Sequence, residues 1–175
     1  MTGATGFVGK NCLEAFLECE DVDIVEVLAR NPERTYLSLD SLIRKAKTFG
    51  KEVRLVHGDI RIKGISLSEC DRRRISEVKE VYNFAGIISL KNNSLNKKVV
   101  LHEVNSKGTE NLINLFKTSN KLECFYHCSS AYISGATSEL ISESWLKEPR
   151  SFRNNYEMSK WMARSRKKFI KKFAF

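Results

Sequence analysis

Tyr156 and Lys160 are spaced i, i+4 in Tyr156-Glu-Met-Ser-Lys160, so on a helix they share one face. A phenol and an ammonium in one site suit proton transfer. A free tyrosine, with a pKa of about 10, is a poor acid–base group at neutral pH, and a nearby cation stabilises its phenolate. A further hydroxyl stands at Ser129-Ser130, directly after the apolar run Leu122 to Cys128. Ligands of open α/β sheets bind beyond the carboxyl ends of strands, so Ser130 is placed to meet a substrate; capping a turn is its alternative role.

Near the start of the chain, Gly3-x-x-Gly6-x-x-Gly9 lies in the string TGATGFVG. A dinucleotide pyrophosphate needs free backbone N–H groups at a helix N-terminus and a backbone that it can approach closely. Glycine supplies the turn and the missing side chain, and Thr2, Thr5, Phe7 and Val8 complete the loop. A P-loop does not fit, because five residues separate Gly3 from Gly9 and Asn11 rather than Ser or Thr follows Lys10. The next strand ends Leu28-Ala29-Arg30, with Arg34 four positions on. A basic residue here suits a ribose 2′-phosphate where an acidic one would bind the 2′-hydroxyl, so NADP(H) is favoured over NAD(H). Solvated surface arginines are the competing reading.

These residues need elements to hold them. Ile24 to Ala29, Val53 to His57, Val81 to Ala85 and Leu122 to Cys128 have the apolar, β-branched or aromatic character of strands. Between them Leu13, Phe16 and Leu17 share a helix face, as do Leu39, Leu42, Ile43 and Ala46, and a third face holds Val104, Gly108, Leu112, Leu115 and Phe116. Strand and helix in alternation predict parallel strands with helical crossovers: an α/β, Rossmann-type doubly wound sheet with helices on both faces. The charged stretch Arg61 to Lys79 is expected to be a surface connection with a short helix around Ser68 to Ile75.

The length of 175 residues suits one domain, 1–175. Its formal charge of +9 is concentrated at one end: nine basic residues and one acid lie between Arg150 and Phe175. The nearly neutral remainder argues against nucleic acid as a partner. Five cysteines form no C-x-x-C pair, which argues against structural zinc and a disulfide framework; Cys124 and Cys128 are expected to be buried packing thiols. His57, His102 and His127 read as ordinary strand and loop histidines. No apolar run approaches the roughly 18 residues of a membrane span, and no leader with a cleavage site is visible, so the expectation is a cytoplasmic protein. Only Met1 precedes the glycine turn, and the chain stops about one helix past Asn155. It is therefore expected to be part of a longer protein, truncated at the first strand, lacking a C-terminal substrate domain and inactive alone.

Together these features resemble the extended short-chain dehydrogenase/reductase superfamily over nearly the whole chain. TGATGFVG resembles its glycine turn, Gly58-Asp59-Ile60 its adenine-contacting element, and Asn105-Ser-Lys-Gly108-Thr109 its N-V-x-G-T helix start. Tyr156 and Lys160 resemble its catalytic pair, and Ser130, five residues before Gly135, its catalytic serine. A narrower resemblance, in the block Gly58 to Ala85 and in Lys160-Trp161-Met162-Ala163, is to the thioester-reductase and fatty acyl-CoA reductase branch (male-sterility type). The usual H-N-A-A appears here as Asn83-Phe84-Ala85-Gly86, Ser106 replaces an apolar residue, and Arg164 an acidic one.

The resemblance implies an NADP(H)-dependent oxidoreductase that reduces an acyl thioester, on coenzyme A or an acyl-carrier domain, to aldehyde or alcohol. It implies that Tyr156 donates the proton, Lys160 assists it and binds the nicotinamide ribose, Ser130 holds the developing oxyanion, and Asn105 supports a proton relay. Thr2, Gly3, Thr5, Gly6, Phe7, Val8, Gly9, Arg30, Arg34, Asp59, Ile60, Ala85, Gly86, Asn105, Tyr156 and Lys160 are the expected cofactor-binding set. The alternatives are a nucleotide-sugar epimerase or dehydratase with the same residues, and a dinucleotide-binding protein without chemistry.

Overall fold

A computed structural model of the chain describes residues 1–90, 95–138, 140–141, 149–165 and 173–174. Arg166 to Lys172, which carry much of the basic end, and Phe175 lie outside the described residues.

The strands are β1 (Ile24–Ala29), β2 (Glu52–His57), β3 (Glu80–Asn83), β4 (Cys124–His127) and β5 (Phe173–Ala174). All their pairings are parallel: β1 with β2, β3 with β4, and β4 with β5. Thr2 joins the two blocks, bridging Leu28 of β1 and Asn83 of β3. Its N–H donates to the Tyr82 carbonyl at 2.9 Å, and the Leu28 N–H donates to the Met1 carbonyl at 2.9 Å. Two residues thus occupy the centre of the sheet, and the chain winds outward from them in both directions. The order is β2-β1-Thr2-β3-β4-β5, with its switch point at Thr2 and Gly3, where an open α/β sheet forms its ligand crevice.

Helices α1 (Phe7–Glu18) and α2 (Pro32–Thr48) cover one face. Their Leu13, Leu17, Leu39, Leu42, Ile43 and Ala46 pack with Val25 and Val27 of β1. On the other face α3 (Glu69–Ser76) and α5 (Gly108–Phe116) bring Ile75, Leu112, Ile113 and Phe116 against Val56, Val81 and Phe125. The alternation within β2 shows the division: Val53 and Leu55 join the first cluster and Val56 the second. Local chemistry sets the helix starts. Asn31 accepts from the Arg34 N–H and precedes Pro32, which opens α2, and Ser68 accepts from the Asp71 N–H to start α3.

Before α5 the sequence forms α4 (Leu95–Leu101) and then a π-helical segment, His102–Lys107. This widened turn replaces the uninterrupted helical face expected from Val104 to Phe116, and it carries Asn105. The last helix is α6 (Asn155–Ser165). One expectation needs correction: Cys124 and Cys128 are half-buried rather than buried, Cys124 opening β4 and Cys128 lying just past its end. At the centre of the sheet the Met1 carbonyl accepts from Leu28 and Thr2 bridges Leu28 and Asn83.

Candidate active site

The glycine turn is shaped by backbone pressed against backbone. Gly3 has φ +68°, and a Cβ there would lie 2.7 Å from the Ala85 nitrogen. A Cβ on Gly9 would lie 2.2 Å from the Gly3 carbonyl oxygen, and one on Gly6 3.3 Å from the same atom. The Gly6 N–H donates to that oxygen at 3.0 Å, closing the turn. Gly6 then caps α1 without any side-chain acceptor, so the first turn of the helix retains N–H groups for an anion. Thr2 fastens the turn to the sheet: its hydroxyl donates to Asn83 Oδ1 at 2.7 Å and accepts from the Ala85 N–H at 3.1 Å.

A cleft of about 800 Å³ opens over this turn. Thr2, Gly3, Thr5 and Gly6 form its floor, Arg30, Arg34, Asp59 and Ile60 one end, and Ala85 and Gly86 the other. The structure gathers ten of the sixteen expected cofactor residues around one crevice. Phe7, Val8, Gly9, Asn105, Tyr156 and Lys160 are not among its lining residues; Phe7 is 87% and Val8 46% exposed at the start of α1. Asn31, Thr35, Ser38 and Arg61 also line the cleft, and sequence reasoning missed them. The first three follow from the α2 start, whereas Arg61 looked like part of a charged surface connection. Asp59 is held below the usual carboxylate range, chiefly by the Arg61 guanidinium and with a smaller contribution from Arg30.

At the opposite end Lys160 and Asn105 lie beside Gly86. Lys160 is buried and its Nζ donates to the Cys128 carbonyl at 2.9 Å. A Cβ built on Gly86 would lie 3.2 Å from that Nζ and 3.4 Å from Asn105 Oδ1, so a glycine lets the ammonium, the amide and the cleft meet. Burial pulls the Lys160 pKa below that of a free lysine. Asn105 accepts from the Ile87 N–H at 2.8 Å and donates to the Ile87 carbonyl at 3.0 Å and to Ser159 Oγ at 2.9 Å. Ser159 in turn donates to the Tyr156 carbonyl at 2.8 Å. The π-turn is thereby tied to the helix of Tyr156 and Lys160, a link through Ser159 that no sequence motif announced.

Beneath the site lies a closed polar network. Asn83 Nδ2 donates to Thr109 Oγ1 at 3.1 Å and meets His127 Nδ1 at 3.2 Å, while Thr109 donates to the Asn105 carbonyl at 2.7 Å. Burial, reinforced by the Lys160 charge, pushes the His127 pKa down to about 3. The ring is therefore neutral, and its Nδ1 accepts from the amide.

The turn Ala131–Ser134, which follows Ser130, packs against the helix of Tyr156. Ser130 Oγ accepts from the Tyr132 N–H at 3.2 Å, so the turn-capping role considered from the sequence is real, and the hydroxyl proton stays available. The Tyr132 and Tyr156 rings meet edge to face at 6.5 Å. Arg153 secures the start of α6, donating to the Gly135 carbonyl at 2.8 Å and pairing with buried Glu157 at 3.7 Å.

The family model described as "Male sterility protein" matches residues 1–165. The chain belongs to that family. Fatty acyl-CoA reductase 1 of Pongo abelii is 31% identical over 144 residues, covering 75% of this chain and 27% of the relative. The chain thus spans about a quarter of that protein's length. Among solved structures, the terminal R domain of the myxalamid PKS-NRPS pathway is similar with a TM-score of 0.72 and 20% identity, over 93% of this chain and 43% of that one. UDP-glucuronic acid 4-epimerase from Bacillus cereus, solved with UDP-glucuronic acid and NAD, gives 0.70 and 21%, over 94% and 49%. At those identities the structures establish the fold, a Rossmann-type α/β sheet. No described helix is long and apolar enough to cross a membrane, and no metal-binding cluster occurs among the described residues.

Proposed function

We propose that this chain is the NADP(H)-binding and proton-donating part of a reductase that converts an acyl thioester to aldehyde or alcohol. The observation that carries the reading is the continuity of the cleft. It runs from Arg30 and Arg34, over a floor of bare backbone, to the glycine that opens onto Lys160 and Asn105. The backbone cradle fits a pyrophosphate, because a Cβ at Gly9 would collide with the turn itself and one at Gly3 with the Phe84–Ala85 backbone. Thr5, Gly6 and the α1 N-terminus would hold the diphosphate, and Arg30 and Arg34 a 2′-phosphate. Lys160 would hold the nicotinamide ribose. When bound, the reduced nicotinamide supplies a hydride.

The chain's own residues do the rest. Tyr156 gives its phenol proton to the carbonyl oxygen of the substrate. The Lys160 ammonium, partly desolvated and fixed by the Cys128 carbonyl, favours the phenolate left behind. Ser130 donates to the same oxygen as negative charge develops there. Asn105 acts from behind: its amide is bonded to Ile87 and Ser159, so it holds the loop and helix in register. The acyl-thioester substrate class rests on the relationship to Fatty acyl-CoA reductase 1.

The test is an assay of the full-length protein with NADPH and long-chain acyl-CoA, beside one with UDP-sugars. NADPH oxidation that depends on acyl-CoA supports the reading. Turnover of nucleotide sugars without net cofactor oxidation overturns it in favour of an epimerase.

A further inference from the structure

The two groups assigned to the substrate's carbonyl oxygen touch one further residue. The Tyr132 N–H donates to Ser130 Oγ at 3.2 Å, and the Tyr132 ring meets the Tyr156 ring edge to face at 6.5 Å. Tyr156 is buried, whereas Tyr132 is 49% exposed. A half-exposed aromatic ring thus adjoins the buried proton donor at the surface. Ile88 and Leu90, on the segment that leaves Gly86 beside Lys160, are exposed as well. Apolar side chains left open at this end of the site favour a hydrocarbon chain as their occupant.

The backbone around Tyr132 is tightly held. The Ile133 N–H donates to the Ser130 carbonyl at 3.3 Å, and the Gly135 N–H donates to the Tyr132 carbonyl at 3.2 Å. Ile133 is buried and anchors the turn. Gly135, with φ +68°, lies so close to the segment before α6 that a Cβ there would meet the Ser151 carbonyl oxygen at 2.4 Å. Arg153 donates to the Gly135 carbonyl at 2.8 Å, tying the end of the turn to the same segment. The turn therefore keeps the ring beside Ser130 and Tyr156 while leaving it half open, and covering such a ring with an apolar ligand is favourable.

We propose that Tyr132 is a specificity-determining residue: its ring packs against the first carbons of the acyl chain and selects a straight chain over one branched next to the carbonyl. The inference rests on the acyl-thioester reading above and deepens it. Tyr132 touches both residues that reach the carbonyl oxygen, so a substrate held by those two hydroxyls brings its acyl substituent against the ring. A straight chain lies flat there, and a methyl branch on the adjoining carbon collides with a ring that its turn does not let retreat.

The experiment measures kcat and KM of the full-length protein and of its Tyr132→Phe and Tyr132→Ala variants, with NADPH and either hexadecanoyl-CoA or its α-methyl-branched counterpart. Thermal midpoints and the NADPH Kd, read by nicotinamide fluorescence, confirm that each variant is folded and holds the cofactor. In Tyr132→Ala the expected result is a KM for the straight chain raised about tenfold through the lost ring contact. Its preference for straight over branched chain falls about tenfold, and the pH profile of kcat stays that of the parent. Tyr132→Phe, which keeps the ring, recovers most of this loss. KM and preference in Tyr132→Ala both within about twofold of the parent overturn the inference and leave the acyl-thioester reading intact. A lower kcat with a displaced pH profile at unchanged KM overturns it too, by making Tyr132 a support for Tyr156 alone. A parent that oxidises no NADPH with either acyl-CoA but converts UDP-sugars overturns both.

Discussion

Replacing Gly9 by Ala isolates the claim that backbone contact shapes the nucleotide turn. Gly9 lies inside α1, where exchanging Gly for Ala would ordinarily stabilise by up to about 1 kcal/mol. Here the new Cβ would sit 2.2 Å from the Gly3 carbonyl oxygen, 2.8 Å from its carbon and 3.0 Å from the Ala4 Cα. All three are backbone atoms, so no side chain can swing aside. Relief requires the turn and helix to separate by roughly 1 Å, an overpacking cost of about 1–3 kcal/mol. The displacement also moves Gly3 away from Ala85 and re-aims the N–H groups of the α1 start. A misplacement of about 1 Å near reacting groups lowers efficiency on the order of a hundredfold. Gly50→Ala is the control: its φ is +69° but nothing lies within 4 Å of a built Cβ, so it costs about 1 kcal/mol from the backbone alone. NADPH titration and thermal unfolding of the full-length variants check this. Gly9→Ala is expected to lose both affinity and stability, and Gly50→Ala stability only. Parental NADPH affinity in Gly9→Ala would refute the reasoning.

Three further expectations follow from the site. Tyr156→Phe removes the proton donor and lowers kcat by about 10²–10⁴-fold, while NADPH affinity, read by fluorescence, stays near that of the parent. Asn105→Ala strands the Ile87 N–H and carbonyl and the Ser159 hydroxyl, costing about 2–4 kcal/mol in urea unfolding. His127, at an ordinary value of 6.5 when unfolded and about 3 when folded, takes up its proton only in the unfolded chain between those values. Stability therefore rises with pH across that window, by up to about 1.4 kcal/mol per unit, and is lost on acidification below about pH 6.5. Urea midpoints at about pH 7 and pH 5 should differ less in His127→Asn than in the parent.

The sequence carries most of the architecture because its signals are local. Alternating apolar runs place β1 to β4, the Asn31-Pro32 cap starts α2, and the glycine spacing marks the turn. The site residues Gly3, Gly6, Arg30, Asp59, Gly86, Lys160 and Tyr156 are legible because their types match the charge and close approach of a dinucleotide. What escaped is non-local. Thr2 takes a central sheet position by donating to Tyr82 and accepting from Phe84, with the Met1 carbonyl accepting from Leu28, and no run of residues around it reads as a strand. The π-turn at His102–Lys107 has no compositional mark distinguishing it from an α-helix. Arg61 looks like any charge in a basic connection until the fold turns its guanidinium onto the Asp59 carboxylate beside the cleft. The exposure of Phe7 and Val8 likewise depends on which face of α1 turns away from the sheet.

The central claim is that one cleft joins a dinucleotide to the Tyr156–Lys160 pair for carbonyl reduction. The most direct measurement supplies the full-length protein with NADPH deuterated at the transferable position of the nicotinamide C4, together with an acyl-CoA, and analyses the product by mass spectrometry. The account predicts deuterium on the former carbonyl carbon of the aldehyde or alcohol, and none in Tyr156→Phe. Product formed without deuterium, or NADPH left unoxidised while UDP-sugars are converted, would contradict it.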